Sequence, residues 1–438
     1  MNPSRNIPLF IAFRVLFNAR FYYPVLGILF LDLGLTLEQY SLLNVAWAIA
    51  IVTLEIPSGA LADVLGRKRM VVIAASLMVL EMLIFAFAPA GRPGLLFALL
   101  ILNRVLSGAA EASASGADEA LAYESLSAEG RESSWPRVLE RLMRWQSGAM
   151  FFAMIAGALA YDPSFARHVV AFFGGEWNPT IQDTVRWPVY LTVLTSFACL
   201  ATAIAMREPS THRITGEATT VRLALCRIRE GARVVITDRR ILLILLAALT
   251  CDSIVRLFMT FESNYLRLIN IPAFLFGVIG SALALLGFVV APIARRMVSR
   301  YSPPINFSLI AVLILVGLAG SVFATPHYGV WVVAPLGFAM YSLGFFVSHY
   351  LNLWTQAETR ATVLSFRGLI MNLAYGSVGL LFAALTKHLR LADATRSENA
   401  IFASSLPGLP LAFGIAIIAL GLFSLLSARK CRTEKTAI

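Results

Sequence analysis

Charged side chains are scarce in this chain. Of its 438 residues only 14% are Asp, Glu, Lys or Arg, whereas 58% are apolar. Soluble domains carry about 25% charged and 45–50% apolar residues, and disordered chains combine low hydrophobicity with high charge. The composition therefore excludes a soluble enzyme, a nucleic-acid-binding domain, a disordered protein and a secreted disulfide scaffold, and it favours a membrane protein.

Cysteine and histidine are also sparse. The four cysteines, Cys199, Cys226, Cys251 and Cys431, show no C-x-x-C spacing, so we predict neither a metal site nor a disulfide framework. The five histidines are scattered, and the chain has no G-x-x-x-x-G-K-[ST] motif for ATP. We therefore expect no catalytic residues and no cofactor.

Long apolar runs recur twelve times, each near the length of about 20 residues that a transmembrane helix needs. The predicted spans cover residues 9–31, 39–61, 70–90, 95–117, 143–161, 187–206, 241–263, 273–294, 305–325, 329–352, 362–385 and 408–427. One long polar segment lies between the sixth and seventh spans. We predict two six-helix halves, 1–206 and 241–438, joined by a cytoplasmic central loop, 207–240.

Lys and Arg concentrate in alternate connections between the spans. One set of connections, taken with the two termini, holds 25 of the 36 basic residues, and the opposite set holds 7. Because basic loops stay in the cytoplasm, we expect both termini to be cytoplasmic and the protein to lie in the inner membrane. The net charge of +11 then reflects topology, and no nucleic-acid partner is expected. Within the central loop, residues 221–240 fit either a helix on an anionic membrane surface or a solvated linker.

Two motifs carry a family resemblance. The loop after the second span reads Gly59-Ala60-Leu61-Ala62-Asp63-Val64-Leu65-Gly66-Arg67-Lys68-Arg69, and the fourth span contains Arg104-x-x-Ser107-Gly108-x-x-Glu111. The first closely resembles the G-x-L-a-D-r-x-G-r-k-x signature of the Major Facilitator Superfamily, and the second is similar to the R-x-x-x-G motif of that family. The resemblance implies an all-α polytopic fold of twelve helices, with spans one, four, seven and ten lining a central cavity, and transport by alternating access.

The loop also has a physical role of its own. Gly59 and Gly66 permit a tight turn at the membrane face, Asp63 can accept hydrogen bonds at a helix N-terminus, and Arg67 and Lys68 hold the loop in the cytoplasm. The resemblance implies that Asp63 and Arg67 form a latch between the two halves. The alternative is that the loop is only a topology signal.

Ionisable side chains inside the spans are candidates for function, because a bilayer disfavours them unless they face a partner or a wet cavity. Arg104, Glu111 and Asp118 recur every seven residues and predict one polar stripe along span four, and Asp252 and Arg256 lie four residues apart in span seven. Two interpretations stay open. These groups form structural ion pairs, or Glu111 and Asp252 carry a proton while Arg104 tunes Glu111.

Further polar side chains fall on the expected cavity helices, with Arg14, Asn18 and Tyr22 at steps of four in span one. The predicted substrate-cavity residues are Arg14, Asn18, Tyr22, Tyr341, His349, Asn352, Asn372 and Tyr375. Arg14 and Arg20 have an alternative, which is to extend toward the ends of span one. Glu81 in span three receives no role.

These features predict a secondary transporter for a small solute. We expect it to be coupled to protons, because the sequence has buried carboxylates and shows no obvious set of sodium ligands. Export is the first expectation. The alternative is proton-coupled or facilitated uptake of a small solute, and the cavity arginines would suit an anionic one. Gly148 and Gly157 keep the first spacing of the antiporter motif of the family, but no Gly-Pro follows, which weakens the case for antiport. A receptor or scaffold without transport is the other class considered. We expect a monomer whose partners are the solute, protons and the lipid bilayer.

Overall fold

The computed structural model describes residues 5–126, 131–208, 226, 229, 232–355 and 357–436. These residues form helices and no β-strand. The helices up to residue 205 are α1 (Asn6–Asn18), α2 (Leu26–Asp32), α3 (Leu37–Leu65), α4 (Arg67–Phe87), α5 (Pro93–Ala114), α6 (Ala117–Glu124), α7 (Arg131–Tyr161), α8 (Pro163–Phe172), α9 (Ile181–Thr184) and α10 (Trp187–Ala205). The helices from residue 239 are α11 (Arg239–Thr260), α12 (Glu262–Leu268), α13 (Ala273–Arg300), α14 (Pro303–Val322), α15 (Val333–Trp354), α16 (Ala357–Ala392), α17 (Glu398–Ser405) and α18 (Gly408–Thr436).

The number of membrane spans follows from the length and hydropathy of these helices. Within the described residues, 11 candidate spans are long and apolar enough to cross a membrane, and 12 result if Arg137–Tyr161 and Pro163–Phe172, bent by 84°, form one span. The predicted all-α polytopic fold is confirmed.

Several helix starts are set by side chains that accept hydrogen bonds from free backbone N–H groups. Thr36 and Gln39 form a reciprocal capping box at the start of α3. Asp238 precedes α11 and accepts from the backbone N–H of Arg240 at 2.9 Å. These caps begin the spans just where the apolar runs begin.

Two predicted continuous helices are interrupted, which corrects two predicted polar faces. The first helix ends at Asn18, and Tyr22 lies beyond it, before a short 3-10 turn that contains Pro24. The fourth span breaks between Ala114 and Ala117, where Gly116 has a φ of +75°, a conformation that side chains disfavour. Arg14, Asn18 and Tyr22 therefore do not share one helix, and the predicted stripe from Arg104 to Asp118 is not continuous.

The chain divides into two compact units. The first contains Met1–Leu225 and Ile271–Leu285, and the second contains Cys226–Asn270 and Leu286–Ile438. The predicted division at residues 206 and 241 stays a prediction, because most of the predicted central loop lies outside the described residues.

Each unit has an aromatic core of its own. In the first, the ring of Phe30 lies 5.1 Å from that of Phe85 and 5.2 Å from that of Tyr40. In the second, the ring of Phe261 lies 4.7 Å from that of Phe382. Such contacts combine large apolar area with favourable ring geometry, so each unit is held by packing as well as by backbone hydrogen bonds.

Candidate functional site

The first unit contains a sealed group of charges, here called the Arg20 cluster: Arg20, Glu81, Arg104 and Tyr22. An Arg20 Nη1 atom lies 2.5 Å from Oε1 of Glu81, and the same nitrogen donates to the Tyr22 hydroxyl at 2.9 Å. Only 3% of Arg20 and 0% of Glu81 is exposed. Asn103 adds a hydrogen bond from its amide to the Glu81 backbone carbonyl at 2.8 Å. Ion pairing and hydrogen bonding together make burial of these groups tolerable.

Arg104 is the second cation of this cluster. It is 6% exposed, and its guanidinium carbon lies 5.0 Å from the centre of the Phe30 ring. Its Nε and Nη2 atoms have no hydrogen-bond partner among the described residues. Nor does it form an ion pair with Glu111 in the described part of the chain, since seven residues span about 10 Å along a helix. The role predicted for Glu111 remains a prediction.

Asp118, the last member of the predicted stripe, pairs with a different arginine. Its Oδ2 atom lies 3.1 Å from Nε of Arg14, and Nη2 of Arg14 donates to Glu119 at 2.9 Å. Asn18 donates its side-chain amide to the Arg14 backbone carbonyl at 2.8 Å, so it is engaged within its own helix. Arg14 therefore binds α6 and does not extend alone toward the membrane surface.

The second unit holds a comparable group, here called the Arg256 cluster: Asp252, Arg256, Arg367, Asn372 and Tyr375. Arg256 Nη2 lies 2.7 Å from Asp252 Oδ2, and Arg256 Nη1 donates to Asn372 Oδ1 at 3.1 Å. The guanidinium carbon lies 5.4 Å from the centre of the Tyr375 ring. The structure thus brings together four of the predicted site residues.

All members of the Arg256 cluster except Tyr375 line a cavity of about 350 Å³, which lies wholly within the second unit. Three helices contribute to its wall, which combines charged, apolar and glycine positions. The lining residues are Asp252, Arg256, Met340, Leu343, Gly344, Leu364, Arg367, Gly368, Met371 and Asn372. A cavity of this size is at the lower end of the range for small-molecule sites.

The predicted residues of α15 do not line this cavity. Met340, Leu343 and Gly344 form the α15 side of the wall. Tyr341 packs beside Gly287, and Asn352 donates to the Ser348 backbone carbonyl at 2.8 Å. The His349 ring lies 5.2 Å from that of Tyr350. Tyr341, His349 and Asn352 are therefore on another face of the helix, and their predicted substrate role remains a prediction.

The loop motif forms the sharp connection between α3 and α4. Gly66 has a φ of +94°, which explains the need for glycine at this turn. The carboxylate of Glu208 accepts from the backbone N–H of Arg67 at 3.1 Å and of Lys68 at 2.8 Å. A carboxylate at a helix N-terminus is favoured by the free N–H groups and the helix dipole.

Other members of the motif have different surroundings. Arg67 also pairs with Glu124 through its guanidinium. Gly59 lies inside α3, where a Cβ atom would have no heavy atom within 4 Å. The side chain of Asp63 lies outside the described residues, and its predicted role stays a prediction.

Sequence reasoning missed four charged residues, of which the structure places three in the two clusters and one at the start of α4. Arg20 and Glu81 are opposite charges inside two predicted spans. Because a lone carboxylate inside a span is disfavoured, Glu81 in span three was the signal that a buried partner such as Arg20 is needed. Arg367 lies inside the predicted span 362–385, yet no site role was predicted for it from the sequence. Glu208, outside the predicted spans, carried no signal that it would bind the start of α4.

Candidate membrane-spanning helices, a buried Arg20–Glu81 ion pair and a charged cavity are typical of a polytopic membrane transporter. A sequence profile described as Major Facilitator Superfamily matches residues 9–381. The chain therefore belongs to the Major Facilitator Superfamily, and its resemblance to that family is confirmed. No curated protein matches the chain.

Solved structures agree on the fold. The nucleoside transporter NupG is 14% identical, with a TM-score of 0.69 over 95% of this chain and 99% of that one. A bacterial homolog of the human lysosomal transporter Spinster is 14% identical, with a TM-score of 0.64 over 98% and 97% of the two chains. A D-xylose–proton symporter is 12% identical, with a TM-score of 0.59 over 94% and 95%. At such identities the likeness establishes the fold and leaves the solute open.

Proposed function

We propose that this chain is a proton-coupled secondary transporter that moves a small solute by alternating access. We place it in the inner membrane as a monomer with both termini in the cytoplasm. The observation that carries the proposal is the Asp252–Arg256 ion pair, which lies in the wall of a cavity and has a distance of 2.7 Å. An ionisable pair within a span and beside a cavity is typical of ion and substrate pathways.

Asp252 is the proposed proton carrier of the second unit. When ionised, its carboxylate engages one side of the Arg256 guanidinium, while Asn372 accepts from the other. Protonation removes the negative charge and weakens the ion pair, so Arg256 becomes available to another acceptor. Because Asp252 also attracts Arg367, a proton on Asp252 and an anionic solute on either arginine are coupled through one side chain.

The sign of this coupling favours the alternative direction over export. A proton on Asp252 removes the negative charge beside Arg256 and Arg367, which strengthens the binding of an anion to either arginine, so proton and anion bind together. Two ligands that bind together move in the same direction, and an inward proton gradient then drives uptake. Export by exchange requires a solute that competes with the proton, as a cation does. The D-xylose–proton symporter among the similar structures is consistent with symport on this fold.

Glu111 remains the proposed proton carrier of the first unit. It is half-buried in α5, whereas Glu81 is sealed against Arg20. A carboxylate that exchanges protons needs access to water in at least one state, which Glu111 satisfies better. A receptor or scaffold without transport stays the competing class, and flux measurements separate it from a transporter.

The test uses proteoliposomes that contain a pH-sensitive dye and the full-length protein, challenged with a pooled library of small metabolites and drugs. We expect a compound-dependent change of internal pH with wild type, and loss of that change with Asp252→Asn. Glu111→Gln is tested in the same assay. Asp393→Asn is the matched control, because it removes the acid of an exposed Asp–Arg pair, Asp393–Arg396, at 3.2 Å.

The outcomes are distinct. Proton movement that persists in both Asp252→Asn and Glu111→Gln contradicts their coupling roles and leaves them as structural groups. Solute accumulation in wild type that does not depend on a pH gradient contradicts proton coupling itself. Binding of a compound without any flux favours the receptor class.

A further inference from the structure

The cavity of the second unit carries one excess positive charge. Its lining contains two guanidinium groups, Arg256 and Arg367, and one carboxylate, Asp252. Arg256 is already engaged by Asp252 and by the Asn372 amide. The excess charge therefore resides on Arg367.

Among the described residues, Arg367 has no hydrogen-bond or ion-pair partner, so its guanidinium is free to bind a ligand. It is half-buried in the cavity wall. A guanidinium with unused donors is suited to a planar carboxylate, which accepts two parallel hydrogen bonds from it. An anion at this position would balance the charge of the wall.

The rest of the wall is apolar or open. Met340, Leu343, Leu364 and Met371 supply apolar side chains, and the two methionines can adapt to the shape of a ligand. A Cβ atom at Gly344 would have no heavy atom within 4 Å, and the same holds at Gly368. Both glycines therefore leave space that an apolar group of a ligand can occupy.

We propose that this cavity binds a small organic monocarboxylate, with the carboxylate on Arg367 and an apolar body between Met340 and Met371. While Asp252 is ionised, the single excess charge favours a monoanion, since a phosphate monoester carries about 1.5 to 2 negative charges at neutral pH. The assignment rests on the proposed transport function and names its solute class.

The test is ligand binding to the full-length protein purified in detergent, measured by calorimetry and by thermal stabilisation. The probes are acetate, butyrate, hexanoate and benzoate, with hexanamide and benzamide as neutral isosteres and hexyl phosphate as the dianion. We expect hexanoate or benzoate to bind and the corresponding amide to bind at least about tenfold more weakly, as for loss of a charged hydrogen bond. Arg367→Gln should weaken carboxylate binding by a similar factor, and Arg367→Lys should restore part of it.

Arg396→Gln is the matched control, because Arg396 is an exposed arginine that pairs with Asp393 outside the cavity. The proposal is overturned if no carboxylate binds to wild type, if amides bind as well as carboxylates, if hexyl phosphate binds more tightly than hexanoate, or if Arg367→Gln binds carboxylates as well as wild type does. These outcomes leave the transport proposal standing if compound-dependent proton flux is seen in proteoliposomes. Carboxylate binding lost in Arg367→Gln, without any flux in wild type, supports the site and contradicts transport.

Discussion

The two units contain charge clusters of the same composition in different surroundings. The Arg20 cluster and the Arg256 cluster each have two arginines, one carboxylate and an aromatic ring beneath an arginine, and each has an asparagine nearby. In the first, Glu81 is 0% exposed and Arg104 is 6% exposed. In the second, the side chains of Arg256 and Asp252 are 26% and 11% exposed, and they line a cavity.

The comparison teaches that exposure to a cavity, and not residue composition, distinguishes a candidate binding site from a structural ion pair. A pair sealed from water cannot meet a solute, and its geometry compensates for the loss of hydration. A pair beside a cavity can exchange partners with a ligand or a proton. We therefore interpret the Arg20 cluster as a structural group that holds α4 and α5 to the start of the chain, and the Arg256 cluster as the one open to ligands.

The largest expected effect is a fall in stability when the buried carboxylate of Glu81 is removed. Glu81→Gln leaves Arg20 without its ionic partner in a buried position, and Arg104 loses a nearby negative charge as well. Removing one partner of a buried pair typically lowers the free energy of unfolding by about 3–5 kcal/mol. We expect a large fall in the melting temperature of the purified protein in detergent, or failure to obtain folded protein.

Two further variants test the reason for that fall. Arg20→Gln should be milder than Glu81→Gln, because Arg104 still attracts the remaining carboxylate. Asp252→Asn, the matched change in the second unit, should lower the melting temperature less than Glu81→Gln, because the cavity allows Arg256 to be hydrated. Equal falls for Glu81→Gln and Asp252→Asn would contradict the distinction between sealed and open clusters.

The next-largest expected effect is on ligand affinity in the cavity beside the Arg256 cluster. Gly344→Leu places a side chain into the open space beside the Arg256 cluster, so we expect the affinity for hexanoate or benzoate to fall by about 100-fold, equivalent to about 2.7 kcal/mol. The melting temperature should change little, because the new side chain meets no heavy atom at its Cβ. Calorimetric titration checks the affinity.

Gly421→Leu is the control for this change. Gly421 lies in α18, is exposed, and likewise has no heavy atom within 4 Å of an added Cβ. It does not line the cavity described here, so carboxylate affinity should stay at the wild-type value. Equal loss of affinity in both variants would place the ligand elsewhere.

The fold could be read from the sequence because membrane helices are defined by long local patterns. Twelve apolar runs, alternating basic loops and the motif around Gly66 required no knowledge of distant contacts. The Asp252–Arg256 pair was also accessible, since four residues separate its members on one helix.

The remaining contacts depend on how helices are arranged and could not be read from periodicity. Arg20 and Glu81 are 61 residues apart, and only packing of the chain brings them together. The stripe from Arg104 to Asp118 was wrong as a continuous face because Gly116 adopts a left-handed conformation that breaks the helix. Gly344 of α15 lines the cavity and His349 does not. This orientation of the helix likewise depends on how it packs against its neighbours.

The smallest expected effect is the difference between two tyrosine hydroxyls. Tyr22→Phe removes the hydroxyl that accepts a hydrogen bond from Arg20 at 2.9 Å inside the sealed cluster. Tyr375→Phe removes the hydroxyl that lies 2.9 Å from Thr260 Oγ1, while the ring beneath Arg256 is kept. Hydrogen bonds to charged groups contribute about 1.5–3 kcal/mol and neutral ones about 1 kcal/mol.

We therefore expect Tyr22→Phe to lower the free energy of unfolding by about 1 kcal/mol more than Tyr375→Phe does. Melting temperatures of the two variants and wild type, measured side by side in one detergent, check the order. Because each change deletes one oxygen from a tyrosine beside an arginine, the volume change is the same and the surroundings of the oxygen are the variable. A larger fall for Tyr375→Phe would mean that the cluster beside the cavity is the more tightly held of the two, and the interpretation of the Arg20 cluster as the structural one would then be wrong.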